Sequence, residues 1–130
     1  MKLQDLVQGL EKEWGLEKPL PQEIPGVYTI PLDEGLNFVA SSLPEGGLRL
    51  SSSLAPAPQR NMEEAYQSLL LSNLFGQGTK GALLGLNDTG TLLTLSREIE
   101  YDVDLKEFSN IVEDFINTID FWREEMLQYS

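Results

Sequence analysis

The sequence predicts an α+β domain with elements in the order αβββαββα, an antiparallel twisted sheet packed on helices. Three observations predict it. Apolar residues recur at helical spacing near both ends of the chain and once in the middle. Between Val27 and Leu54 the period drops to two, the spacing of a half-buried strand. The period-two runs follow one another across short turns, which makes them an antiparallel meander.

The first helix, 1–15, sets Leu3, Leu6, Val7, Leu10 and Trp14 on one side and Lys2, Asp5, Glu11 and Glu13 on the other. It ends near Gly15. Pro19, Pro21 and Pro25 cannot sit inside a helix, so 17–26 reads as a connector. The meander occupies 27–54. Tyr28, Ile30 and Leu32 alternate with Val27 and Thr29; Leu36, Phe38 and Ala40 alternate with Asn37, Val39 and Ser41; Leu48, Leu50, Ser52 and Leu54 alternate with Arg49, Ser51 and Ser53. Turns at Asp33-Glu34-Gly35 and at Pro44–Gly47 separate the three. The stretch Ala55–Gln59 breaks the pattern. Asn61 is placed to cap a second helix, 61–75, with Glu63 and Glu64 in its first turn, where the dipole favours acids. That helix carries Ala65, Tyr66, Leu69, Leu70 and Leu74 and stops at Gly76. A hairpin over 81–97 turns at Asn87–Gly90. The last helix, 104–128, has the strongest periodicity: Leu105, Phe108, Val112, Phe115, Ile119, Trp122 and Met126 step alternately by three and four.

At 130 residues the chain fits a single domain, 1–130, and 41% hydrophobic residues suffice for a core. The net charge of −12 opposes binding to nucleic acid or anionic lipid, both of which are held through Lys and Arg. The absence of cysteine excludes disulfides and thiolate chemistry, and the absence of histidine removes the commonest general base and metal ligand. No apolar run approaches the roughly 20 residues of a membrane span. The N-terminus is amphipathic and acidic rather than a signal peptide, so the cytoplasm is the expected compartment. The residues suggest neither a cofactor nor a metal.

Two short motifs compete for an enzymatic reading. Gly76, Gly78 and Gly81 spell G-x-G-x-x-G, but that fingerprint binds pyrophosphate only when a strand precedes it and a helix follows. Here a helix precedes and a strand follows, so a phosphate would meet the negative end of the helix dipole. A helix stop with a link to the hairpin is the expected role. Asp88-Thr89-Gly90 spells the triplet of the small dimeric aspartic proteases, which obtain an acid and a base from two aspartates sharing one proton and need no histidine. Asn87 stands where those enzymes have an apolar residue, and Asn-Asp-Thr-Gly is a good hairpin turn. A turn is the expected role again. The acids Glu113, Asp114 and Asp120 are expected on the solvated face of the last helix.

Asn73-Leu74-Phe75, Gly81-Ala82-Leu83-Leu84-Gly85-Leu86, the turn Asn87–Gly90, and then Leu105, Phe108, Val112, Phe115 and Trp122 form a pattern that resembles the class I type III secretion chaperones, related to the Tir-chaperone family. The matched stretch, Ser72 to Met126, is under half of the chain. The resemblance implies a bacterial cytosolic homodimer, or a heterodimer with a related chaperone. It implies binding of an extended N-terminal segment of a secreted effector or translocator, which is kept secretion-competent. It implies no enzymatic activity, no nucleotide and no membrane insertion. It places client contacts on the first helix and the outer surface of the sheet, at Leu3, Val7, Val27, Val39 and Leu43. It places the dimer interface on the second helix, at Tyr66, Leu69, Leu70 and Leu74; three consecutive leucines, Leu69 to Leu71, cannot all face one core. The alternatives are the aspartic protease using Asp88-Thr89-Gly90 and a generic α+β adaptor for another partner.

Overall fold

The computed structural model describes residues 1–32, 36–75 and 81–130. The expected turn at Asp33-Glu34-Gly35 and the stretch Gly76–Lys80, with two glycines of the G-x-G-x-x-G motif, lie outside them. The elements are α1 (Leu3–Glu13), β1 (Gln22–Ile24), β2 (Val27–Pro31), β3 (Asn37–Ser42), β4 (Leu48–Pro56), α2 (Met62–Phe75), β5 (Leu83–Leu86), β6 (Leu92–Ile99) and α3 (Leu105–Met126), closed by a 3-10 turn at Leu127–Tyr129. The αβββαββα order is observed, with one short strand, β1, added inside the proline-rich connector. The strand order is β1-β2-β3-β4-β6-β5.

The described chain divides into two compact units. The first comprises Met1–Ser51 and Glu98–Glu113, the second Ser52–Arg97 and Asp114–Ser130.

In the first unit, α1 buries Leu3, Leu6, Val7 and Leu10. Its end is a Schellman motif: the Leu16 amide donates to the Glu11 carbonyl, the Gly15 amide donates to the Lys12 carbonyl, and Gly15 has the left-handed φ of 66° that this cap requires. β1 exists because Pro21 and Pro25 bracket three residues free to pair, and Pro25-Gly26, with Gly26 at φ 83°, makes the tight turn into β2. β2, β3 and β4 pair antiparallel, with Tyr28 opposite Ala40, Ile30 opposite Phe38, and Ala40 opposite Leu50. All five are buried on one face, where alternation had put them. With Leu48, Ile99, Val103, Phe108, Ile111 and Val112 they make the unit's core. Asp104 caps α3: its Oδ1 accepts the Glu107 amide at 2.8 Å and its carbonyl accepts that of Phe108.

In the second unit, Leu54, Ala65, Leu69, Leu84, Leu93, Leu95, Phe115, Ile119, Trp122 and Met126 are buried. Buried Thr118 satisfies its hydroxyl by donating to the Asp114 carbonyl one turn back, at 2.7 Å. Asn61 precedes α2 with a left-handed φ of 48°, and its carbonyl accepts the Ala65 amide. The Ala55–Gln59 segment is tied down by backbone: Ala57 donates to Thr91, while Gln59 and Arg60 both donate to the Tyr129 carbonyl.

Candidate functional site

The Asp88-Thr89-Gly90 triplet is an exposed hairpin tip. Asn87 builds it. Its side-chain oxygen accepts the amides of Thr91 (2.9 Å) and Leu92 (3.0 Å), its side-chain nitrogen donates to the Thr91 hydroxyl, and its carbonyl accepts the Gly90 amide. Gly90 adopts φ 71°, which glycine takes without strain. Asp88 contributes none of these bonds. Asn87→Ala is therefore expected to cost about 1–2 kcal/mol of unfolding free energy, whereas Asp88→Asn leaves the denaturant midpoint unchanged. Paired chemical-denaturation curves check both. Gly81, the described glycine of the other motif, has φ 87° and follows α2 and precedes β5, the reverse of the order a dinucleotide requires. Among the described residues no group of three or more His, Cys, Asp or Glu side chains is placed to hold a metal ion, and no helix is long and apolar enough to cross a membrane.

Two apolar surfaces remain, one in each unit. In the first unit, the face of β2–β4 opposite the core carries Val27, Thr29, Val39, Ser41 and Ser51, all half-buried, with Val27 opposite Ser41, Thr29 opposite Val39, and Val39 opposite Ser51. Its side chains are short except for Arg49, which lies opposite Ser41 on the same face and pairs with Glu98. β1 is an edge strand with all three residues exposed, Ile24 among them. Nearby, a groove of about 710 Å³ is lined by the start of α1, the β3–β4 turn and the connection from β6 to α3.

Of the five residues expected to meet a client, Val27 and Val39 lie on this outer face and half-buried Leu43 lines the groove. The expectation that Leu3 and Val7 are exposed is corrected. Val7 is 1% exposed and Leu3 7%, because α1 turns Leu3, Leu6, Val7 and Leu10 inward and leaves only Trp14, just past its end, exposed, although Leu3 does line the groove. An amphipathic helix has one apolar stripe, and here the unit's core takes it.

In the second unit, α2 buries Ala65 and Leu69 and exposes the next turn. Leu70 is 68% and Leu74 74% exposed, and Leu71 is also open. At 3.6 residues per turn these three leucines span an arc of about 100°. The expected interface residues thus divide: Leu70 and Leu74 are exposed, Tyr66 is half-buried, and Leu69 lies in the unit's own core. Leu71 was missed, although the run of three leucines signals it. On β5, Leu83 and Leu86 are exposed as well.

Asn73 couples α2 to β5. Its side-chain amide donates to the Leu84 carbonyl and its side-chain oxygen accepts the Leu84 amide, both at 2.8 Å. One side chain thereby mimics a neighbouring strand and satisfies the outer edge of β5 at that residue, a position otherwise open to pairing.

The model of the Tir chaperone protein (CesT) family matches residues 5–123. A protein of Chlamydia pneumoniae is 27% identical over 125 residues, covering 95% of both chains. Solved structures share the fold. A chain of the HopA1-SchA chaperone-effector complex superposes with a TM-score of 0.74 at 19% identity, covering 93% of this chain and 92% of that one. A chain of the heterodimeric ExoU-SpcU complex from the type III secretion system of Pseudomonas aeruginosa gives 0.68 at 21% identity, covering 95% of each. A chain from the complex of the Yersinia pestis type III secretion chaperone SycH with a fragment of YscM2 gives 0.69 at 12% identity, covering 97% of this chain and 98% of that one.

Proposed function

Since the chain belongs to the Tir chaperone protein (CesT) family, we propose that it is a type III secretion chaperone that binds an extended segment of a secreted effector or translocator in the bacterial cytoplasm and keeps it secretion-competent, with no catalytic step. The observation that carries this reading is the family match, which spans residues from α1 to α3 and so includes both apolar surfaces. The likeness in fold to a chain of a chaperone-effector complex and to a chain of a heterodimeric complex from a type III secretion system supports it.

The physical logic is consistent. An unfolded segment loses conformational entropy on binding, so it needs apolar contacts and strand-edge hydrogen bonds to offset that loss. The outer face of β2–β4 supplies the first through Val27 and Val39, and the open edge of β1 supplies the second. The charge of −12 keeps a chain with exposed leucines soluble. In this reading Leu70, Leu71 and Leu74 of α2, with Leu83 and Leu86 of β5, meet their copies in a second chain, or their counterparts in a related chaperone.

Co-expression with secreted proteins encoded beside the gene tests the function. An N-terminal effector segment should co-purify with the wild-type chain, and Val39→Asp should weaken that capture by roughly 1–3 kcal/mol, the value of one buried apolar side chain. Val39 lies on the half-buried outer face, so the melting temperature should hardly move. Capture unaffected by Val39→Asp removes this face from the client site; capture of no neighbouring secreted protein overturns the function.

A further inference from the structure

The groove in the first unit has an uneven chemistry. Its floor is apolar, with Leu3, Tyr28, Leu48 and Val103 buried there. Its rim is acidic: Glu45 on the β3–β4 turn, and Glu100 and Asp102 on the connection to α3, against one lysine, Lys2. Asp102 is engaged by the Met1 amine. Glu45 and Glu100 are exposed and have no ion-pair partner among the described residues. At about 710 Å³ the groove is far larger than one ion needs and falls in the range that accommodates several covalently linked groups.

Two features hold the groove open. The Leu43 amide donates to the Gly47 carbonyl and the Gly46 amide to that of Leu43, which fixes the β3–β4 turn. Gly47 then lies directly against the Ile99 carbonyl, so the turn carrying Glu45 is held beside the connection carrying Glu100. The carboxylates of Glu45 and Glu100 are thus presented by backbone that neighbouring residues hold in place.

We infer that this groove binds a stretch of extended polypeptide in which apolar side chains alternate with lysine or arginine, the apolar ones seated on the floor and the cations paired with Glu45 and Glu100. The inference rests on the reading above that the chain binds extended polypeptide; it adds the charge class that the client must carry. Charge complementarity selects the occupant. An acidic segment would bring like charge to a carboxylate rim on a body already at −12, and a purely apolar one would bury neither carboxylate's counter-charge.

The probe is a dye-labelled seven-residue peptide of alternating lysine and leucine, titrated with the full chain by fluorescence anisotropy. The double variant Glu45→Gln/Glu100→Gln should weaken binding about tenfold, the combined effect expected of two part-exposed ion pairs. A control, Glu63→Gln/Glu124→Gln, makes the same change of charge at two exposed positions of the second unit and should weaken it less than twofold. The same peptide with glutamate for lysine should not bind. Equal losses in the two double variants would show diffuse attraction to an acidic body and overturn the inference, as would absence of binding or equal affinity for the glutamate peptide. Capture of an effector segment in the co-purification, with no preference for the lysine peptide, overturns the groove assignment alone. Failure of both overturns the function as well.

Discussion

Gly47→Ala lowers the unfolding free energy by at least about 3 kcal/mol, combining a left-handed backbone penalty with a backbone clash. A Cβ at residue 47 would sit 2.2 Å from the Ile99 carbonyl oxygen and 3.1 Å from the Glu100 Cα. Both atoms are backbone, so neither can swing aside as a side chain would. Residue 47 also has φ 90°, where an L side chain is strained whatever the space. Gly46 separates the two causes. It has φ 98° but nothing within 4 Å of an added Cβ, so Gly46→Ala should show the backbone term alone, about 1–2 kcal/mol. Denaturant unfolding of the two variants gives the difference. Equal midpoints would show that β4 moves away from Ile99 at little cost, and the rigidity assigned to the groove would fall with the clash.

If α2 forms the proposed two-fold interface, Leu70→Glu should leave a monomer of 14.6 kDa by light scattering, where the wild-type chain at micromolar concentration should show twice that mass. In the single chain Leu70 is exposed, so the substitution should change intrinsic stability by less than about 0.5 kcal/mol. In a two-fold interface the same substitution acts twice and places a charge among leucines on each side. Burying one unpaired carboxylate costs several kcal/mol, so the dissociation constant should rise by at least about a thousandfold. Leu69→Glu makes a contrasting control. Leu69 lies in the unit's own core, so its replacement should lower the melting temperature first and change assembly only as a consequence. A wild-type chain already monomeric at micromolar concentration would remove α2 from any self-association.

The elements that could be read directly are those whose burial follows a simple period. The three-and-four steps of Leu105 to Met126 became α3, and six of its seven marked residues are buried. The alternation of Tyr28, Ile30, Phe38, Ala40, Leu48 and Leu50 became the inner face of the meander. The hairpin tip was legible because Asn-Asp-Thr-Gly is written for a turn, and Asn87 performs the hydrogen bonding there. β1 was not legible. Three exposed residues between prolines carry no period, and they become a strand only because β2 offers an edge to pair with.

The candidate site was legible in kind and only partly in place. The pattern from Asn73 to Leu86 pointed to the family before any geometry was known, because it encodes a helix stop, a buried Ala82 and Leu84, and a turn, all of them local requirements. Periodicity says that a residue is apolar and on which face of its own element it lies; it does not say what covers that face. Leu3 and Val7 were assigned to a client, but the unit's core covers the stripe they occupy. Leu69, Leu70 and Leu71 are identical in sequence, and their positions around α2 send the first into its own unit and leave the other two open. Asn73 lies eleven residues from Leu84, and its role as a substitute strand exists only once helix and edge strand are side by side. The same holds for the groove. Glu45 and Glu100 are unremarkable acids in an acidic chain until the close approach of Gly47 to Ile99 brings their two loops together. Burial along one element is a property of consecutive residues. Which surface stays open is a property of elements far apart in the chain, and no local pattern contains it.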